Sequence, residues 1–377
     1  MDVSLTEISS SAPRRVGLIL IGGAHHILHL VPVAAALDGI EGIHPIIFVT
    51  NEDEASQCRA VLTGLGLSDP DVRLMRSHPL VRTVSKKLSY LFAERRVFRD
   101  LDALVVVERT STILRHLPGR LPPFIHIPHG AGDRAKSYDP RIRHFDHVLV
   151  AGEKDRNRMI ALDLVAAPNC TVTGYIKPQA VRALHPDLPT LFEDDKPVVL
   201  YTPHFDPTLS SWPMFGQEML DAFVANPSFN CIVAPHMRLF READAAARTP
   251  IEAYGAHPHI HVDLGSARST DMTYTRAADI YVGDASSQVY EFLHGGPKPC
   301  LFLAPPNSDW EGNPDYAHWS YGRVCESVAE IMRGLITAED DLSEYRAAQM
   351  TGTRAAMGDP DVDAAGLAAQ IIAGLLL

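Results

Sequence analysis

The sequence predicts an α/β protein of two Rossmann-like domains in tandem, with parallel sheets facing a central cleft. Three observations predict it. Short apolar runs rich in β-branched residues alternate with helical patterns, a proline-rich break interrupts the alternation, and the same alternation then restarts. Continuous apolar strands separated by helices imply parallel sheets buried on both faces. A chain of 377 residues is long enough for two such domains, each with its own core.

The first apolar run, 16–21 (VGLILI), passes through GGAHH into a helix over 29–37. A run at 45–49 (PIIFV) precedes a helical stretch near 53–65. Runs at 103–107, 124–127, 147–151 and 170–173 continue the series, with a helix over 153–164 between the last two. Residues 177–197 hold four prolines and three consecutive acids, a composition suited to an interdomain connection. The second series follows at 198–201, 230–234, 259–262, 279–282 and 299–303. Helical patterns at about 214–225, 239–254, 270–278 and 286–294 separate these runs, and the tail after Ser327 reads as helical. The expected division is a first Rossmann-like domain over 14–176, a linker over 177–197 and a second Rossmann-like domain over 198–345. C-terminal helices over 346–377 are placed to pack back on the first domain.

Composition narrows the function. Apolar content of 46% and charged content of 21% suit a globular protein. The opening residues lack the basic and apolar regions of a signal peptide, and no stretch is apolar enough to span a membrane. The five cysteines (58, 170, 231, 300, 325) form no close pair, which suits reduced thiols in the cytoplasm and supplies no zinc framework. A net charge of −12 argues against nucleic-acid binding. Residues 73–99 nevertheless carry eight Lys/Arg against one acid, Glu94, with Leu80, Val84, Leu88 and Leu91 at helical spacing. That pattern predicts a basic amphipathic helix, read either as a solvated face or as a surface for anionic membrane.

Ligands of open α/β sheets bind beyond the carboxyl ends of the strands. Polar residues collect there. Gly22-Gly23-Ala24-His25-His26 follows the first run, read as a tight turn or a phosphate-approaching loop, with Gly22, Gly23 and His26 as cleft residues. His129-Gly130-Ala131-Gly132-Asp133-Arg134 follows the run at 124. Pro203-His204-Phe205-Asp206 follows 198–201, and Pro235-His236 with Arg238 follows 230–234. Gly283-Asp284-Ala285-Ser286-Ser287 follows 279–282 and opens a helix containing Glu291. Serines at a helix start serve as an N-cap or as an anion cradle. Alternating His257, His259 and His261 lack a carboxylate or cysteine partner nearby, which favours an edge strand over a metal site. Neither a GxSxG elbow nor a GxxxxGK[ST] loop occurs.

The stretch AADIYVGDASSQVYEFLHGGPKPCLFL, 277–303, resembles the Asp-Tyr-Ser-Ser run of the CDP-glycerol glycerophosphotransferase family, the teichoic-acid polymerase-like enzymes of GT-B fold. IPHGAG resembles that family's HGTP element and IVAPHMR its KPHP element, in the same order. The resemblance implies that His129 deprotonates the acceptor hydroxyl. It also implies that His236, Ser286 and Ser287 hold the donor phosphates at the reacting centre, with Asp284 bracing the loop or touching the nucleotide. Pro203, His204, Arg238, Gly283 and Glu291 join the donor side, and Gly130, Gly132, Asp133 and Arg134 the cleft. No cofactor or metal is implied. The chain departs from the family at Gly130-Ala131-Gly132, at Met237, at Ala285 and at Pro203-His204-Phe205-Asp206.

The resulting expectation is a cytoplasmic transferase, peripheral on the inner membrane face. It would move a glycerophosphoryl-type group from a CDP-linked donor to a lipid-linked or polysaccharide acceptor. The alternatives are a nucleotide-sugar glycosyltransferase, a UDP-N-acetylglucosamine 2-epimerase-like enzyme using Asp133, Asp206 or Glu291, and a nucleotide-binding partner without activity.

Overall fold

The computed structural model describes residues 12–130, 132–133, 137–305 and 308–376. The first half runs β1 (Arg14–Ile19), α1 (Ile27–Asp38), β2 (Ile43–Val49), α2 (Glu52–Gly64), β3 (Val72–Leu74), α3 (Pro79–Arg82), α4 (Lys86–Arg99), β4 (Ala103–Val106), β5 (Phe124–His126), β6 (His147–Val150), α5 (Glu153–Ala161) and β7 (Cys170–Val172). Helix α6 (Lys177–Leu184) lies between the halves. The second half runs β8 (Val198–Thr202), α7 (Trp212–Ala225), β9 (Asn230–Val233), α8 (Ala245–Glu252), β10 (Ile260–Val262), α9 (Thr273–Ala277), β11 (Ile280–Gly283), α10 (Gln288–Leu293), β12 (Cys300–Leu303) and β13 (Arg323–Cys325). Helices α11 (Val328–Met357) and α12 (Ala364–Gly374) close the chain.

The strands form two sheets, ordered β3-β2-β1-β4-β5-β6-β7 and β10-β9-β8-β11-β12-β13. Every pairing among the described residues is parallel. Leu18 of β1 lies opposite Ile47 and Val105, and Val282 of β11 opposite Tyr201 and Leu301. In both sheets the first strand is internal and the order reverses beside it. The crevices therefore open between β1 and β4 and between β8 and β11, the switch points where ligands bind in such sheets.

Strand alternation distributes the core. Val16, Leu18 and Leu20 face α1, α2 and α12, whereas Ile19 and Ile21 face the layer of Leu91, Phe98 and Phe124. Each fully buried aliphatic side chain of this kind contributes about 1.5–3 kcal/mol. In the second sheet Leu200, Ile232 and Tyr281 face Tyr290 and Phe292, while Val199, Val233 and Val282 face Phe215, Met219 and Ile331. Helix α11 runs unbroken past position 345 and returns the chain to the first domain. There the Tyr175 N–H donates to the Met357 carbonyl at 2.9 Å, and Ala364, Ala368, Ala369 and Ile372 of α12 complete the core under α1.

Three expectations about elements change. Residues 73–99 do not form one basic helix: Arg73 lies in β3, Pro79 begins the short α3, and Ser85 caps α4 by accepting from the Leu88 N–H. Leu80 and Val84 thus sit outside α4 at 78% and 83% exposure, while Leu91 is buried. The helix expected from 239 starts at 245, where Asp244 caps it by accepting from the Ala247 N–H. Strands β3 and β13 were not anticipated, because a three-residue strand at a sheet edge shows no apolar run.

Candidate functional site

The loop after β1 is shaped by two imidazoles. A Cβ on Gly22 would fall 1.9 Å from His26 Cε1, so only glycine leaves room for that ring. Gly23 holds a positive φ of 114° as the chain turns into the helical turn Ala24–His26. The glycines form the turn and make room for the histidine rings. His26 is buried between His25 and His129, with ring centroids 4.1 and 4.3 Å away, and its Nδ1 has no hydrogen-bond partner among the described residues. His29, one turn into α1, packs 5.5 Å from Tyr175 and 6.3 Å from His129.

His129 stands three residues beyond β5 and opens to the cleft. Its Nδ1 lies 3.0 Å from the Val107 carbonyl, which only accepts, so Nδ1 carries the proton and Nε2 keeps its lone pair. Desolvation by the surrounding protein holds the pKa values of the buried His26 and His29, and of the more open His25 and His129, below the ordinary range, reinforced by the neighbouring rings and by nearby cations; His25 falls to about 4. At neutral pH the four imidazoles are therefore neutral.

Gly130 and Gly132 reach the opposite domain. Gly130 has a φ of +81°, and a Cβ on Gly132 would sit 3.2 Å from the Ser287 Cβ. Asp133 is buried as a bridge between domains. It accepts from Lys154 Nζ at 2.7 Å, from Tyr290 Oη at 2.8 Å and from His318 Nδ1 at 2.7 Å. Burial alone would raise its pKa, but these partners outweigh it and hold the carboxyl at about 2. The His318 ring also spans to the Asp284 carbonyl, with Nε2 3.4 Å away. Arg134 lies outside the described residues.

In the second domain, Asp284 is fully buried and accepts from the His204 N–H at 2.8 Å and from both the N–H and hydroxyl of Ser211, at 2.7 and 3.0 Å. It braces the β8 and β11 loops against one another. Burial pushes its pKa up to about 7 despite those donors. A Cβ on Gly283 would strike the Tyr281 ring at 2.7 Å. Ser286 accepts from the Gln288 N–H at 3.3 Å, and Ser287 stands at the start of α10 facing Gly132. The Pro203 carbonyl accepts from the His236 N–H at 3.0 Å. The rings of Phe205 and His204 lie 4.6 and 5.6 Å from that of His236, while Arg238 stacks 4.0 Å over Phe205.

The structure thus brings Gly130 and Gly132 to Ser287, packs His26 against His129, and gathers Pro203, His204, His236 and Arg238 in the second domain. Glu291 is placed differently: it accepts from Lys177 Nζ at 2.7 and 2.9 Å and from Tyr175 Oη at 2.7 Å, in a buried pair joining α6 to α10. Asp133 is likewise a structural clamp. His25, His29, Lys177, Lys154 and His318 escaped sequence reasoning as site-building residues, as did Lys87 and Arg241, whose charges act on His25. Only His25 had a signal, its place beside His26 at a strand end.

No protein-family model and no curated protein matches the chain. Solved structures do match. The S. aureus MnaA–UDP structure aligns at 16% identity and TM-score 0.65, covering 96% of this chain and 95% of that one. A kitacinnamycin glycotransferase aligns at 13% identity and TM-score 0.63, with 97% and 100% covered. The wall teichoic acid polymerase TagF aligns at 13% identity and TM-score 0.62, with 96% and 88% covered. These likenesses and the two parallel Rossmann-like sheets make the fold GT-B.

Proposed function

We propose that this GT-B chain is a transferase that moves a glycerophosphoryl-type group from a CDP-linked donor to a hydroxyl acceptor. The observation that carries the reading is the meeting of the HGAG and Asp-x-Ser-Ser loops, with the Gly132 Cβ position 3.2 Å from Ser287. A base and an anion cradle thereby share one crevice. His129 Nε2 takes the acceptor's proton as its oxygen bonds the donor's β-phosphorus. The anhydride bond breaks and CMP leaves. His236, Ser286 and Ser287 hold the phosphates as charge develops, which is electrostatic stabilisation by preplaced donors. The motif order in the sequence and the structural likeness to TagF, also solved with CDPG, support this choice of donor.

The epimerase alternative needs a carboxylate at the sugar. Asp133 and Glu291 are both engaged in buried ion pairs, and Asp206 caps the turn at Thr208, which weighs against it. A glycosyltransferase would use the same walls but release an intact nucleoside diphosphate.

Thermal shift tests the reading with CDP-glycerol, CDP, CMP, UDP, UDP-N-acetylglucosamine and GDP-sugars. Ligand at a hundredfold its Kd adds about 2.7 kcal/mol of stability. The expected result is a cytidine-selective shift that Ser286→Ala/Ser287→Ala removes. His129→Ala should keep the shift yet lose CMP release with acceptor by about 100-fold or more. A shift selective for uridine or guanosine moves the reading to a sugar donor, and no shift at all overturns it.

A further inference from the structure

We propose that His25, His26 and His129 form a binding site for a divalent transition-metal ion of the zinc class on the N-terminal wall of the cleft. One ring nitrogen from each residue lies within 4.8 Å of the others. Around a zinc ion with Zn–N bonds of about 2.0–2.1 Å, two nitrogens sit about 3.4 Å apart, a spacing that small side-chain rotations reach from here. Three protein ligands leave a fourth position for water or a substrate oxygen, the arrangement of open rather than purely structural zinc sites.

Two further features point the same way. His129 already has the supporting contact that zinc-binding histidines use, its Nδ1–H donated to the Val107 carbonyl, which orients the ring and leaves Nε2 as the ligand atom. His26 is buried with Nδ1 unpartnered among the described residues, at a place where only glycine at 22 lets the ring fit. Burying an unsatisfied polar ring is costly, and the loop is built to tolerate it. The donor set is all imidazole, which suits zinc, cobalt, nickel or copper; magnesium and calcium demand oxygen ligands. The alternating histidines at 257–261 are no rival: His259 Nε2 lies 3.0 Å from the Phe223 carbonyl and His261 Nε2 3.0 Å from Tyr274 Oη.

The inference is independent of donor identity, since it concerns only the first domain's rings. It does touch the proposed transfer, because one lone pair on His129 cannot hold both a proton and a metal. With the ion bound, proton transfer would pass to a metal-held water, whose pKa a divalent ion lowers toward neutrality.

The test uses the untagged full-length chain, stripped with chelator and titrated with Zn²⁺ and Co²⁺ by calorimetry and visible absorption. One equivalent is expected, with intense cobalt ligand-field bands and no competition from millimolar Mg²⁺. His25 is exposed, so His25→Ala preserves the fold, verified by circular dichroism, and should weaken binding more than tenfold; His129→Gln should do the same, and His261→Ala should not. Absence of a stoichiometric site, or affinity unchanged in both His25→Ala and His129→Gln, overturns the proposal. Nucleotide shifts measured on the same stripped chain report separately on the transferase reading.

Discussion

Gly22 carries more of the site than its size suggests. Its missing side chain is the space into which the His26 ring fits, and that ring sets the distance between His25 and His129. Gly22→Ala should therefore displace His26 and destabilise the chain by about 1–3 kcal/mol, the usual cost of overpacking. Urea denaturation reads this directly, and an unchanged midpoint would mean that the ring moves freely. The glycine pair was visible in the sequence as a turn, but its purpose was not. Which atom a missing Cβ would strike depends on a side chain four residues later that folds back over the loop. His318 is a stronger instance. It contacts Asp133 and Asp284, 185 and 34 positions away, and nothing in the sequence around it marks that role.

At the scale of elements, the basic segment shows how periodicity misleads. Leu80, Val84, Leu88 and Leu91 have helical spacing, yet Pro79 and Ser85 impose two helix starts, so the four never share a face. What results is an exposed corner with Leu80 and Val84 uncovered beside Lys86 and Lys87. No helix among the described residues is long and apolar enough to cross a membrane. A membrane-linked acceptor predicts that this corner is the contact. Leu80→Ser/Val84→Ser and Lys86→Glu/Lys87→Glu should each reduce co-sedimentation with anionic vesicles without lowering the unfolding midpoint, since all four side chains are solvated. Equal sedimentation by wild type and both variants would remove the membrane from the reading.

Across the whole molecule, the domains are tied by two buried ionic contacts, Asp133 with Lys154 and His318, and Glu291 with Lys177. Asp133 is held at about 2, below its ordinary 3.8. A depressed folded pKa contributes stability that is complete above pH 4 and is lost as pH falls through 2; the difference corresponds to about 2 kcal/mol. Asp133→Asn should cost about 3–5 kcal/mol near neutrality, because Lys154 and His318 lose a buried partner. The gap between wild type and variant should narrow between pH 4 and pH 2, measured by denaturant unfolding across that range. A gap independent of pH would show that the charge on Asp133 is not what stabilises the bridge.

The sequence by itself determined the fold class, two Rossmann-like domains with parallel sheets. These follow from local composition, since apolar runs, prolines and strand-end glycines act on their immediate neighbours. Only the tertiary structure decided which polar residues remain available. Asp133 and Glu291 read as cleft carboxylates but are held in buried contacts across the domain boundary, by His318 and Lys177 respectively, while His25 and His26 close around His129 from the end of another strand. Partners a hundred residues apart are chosen by how two sheets pack, and that choice has no short-range signature.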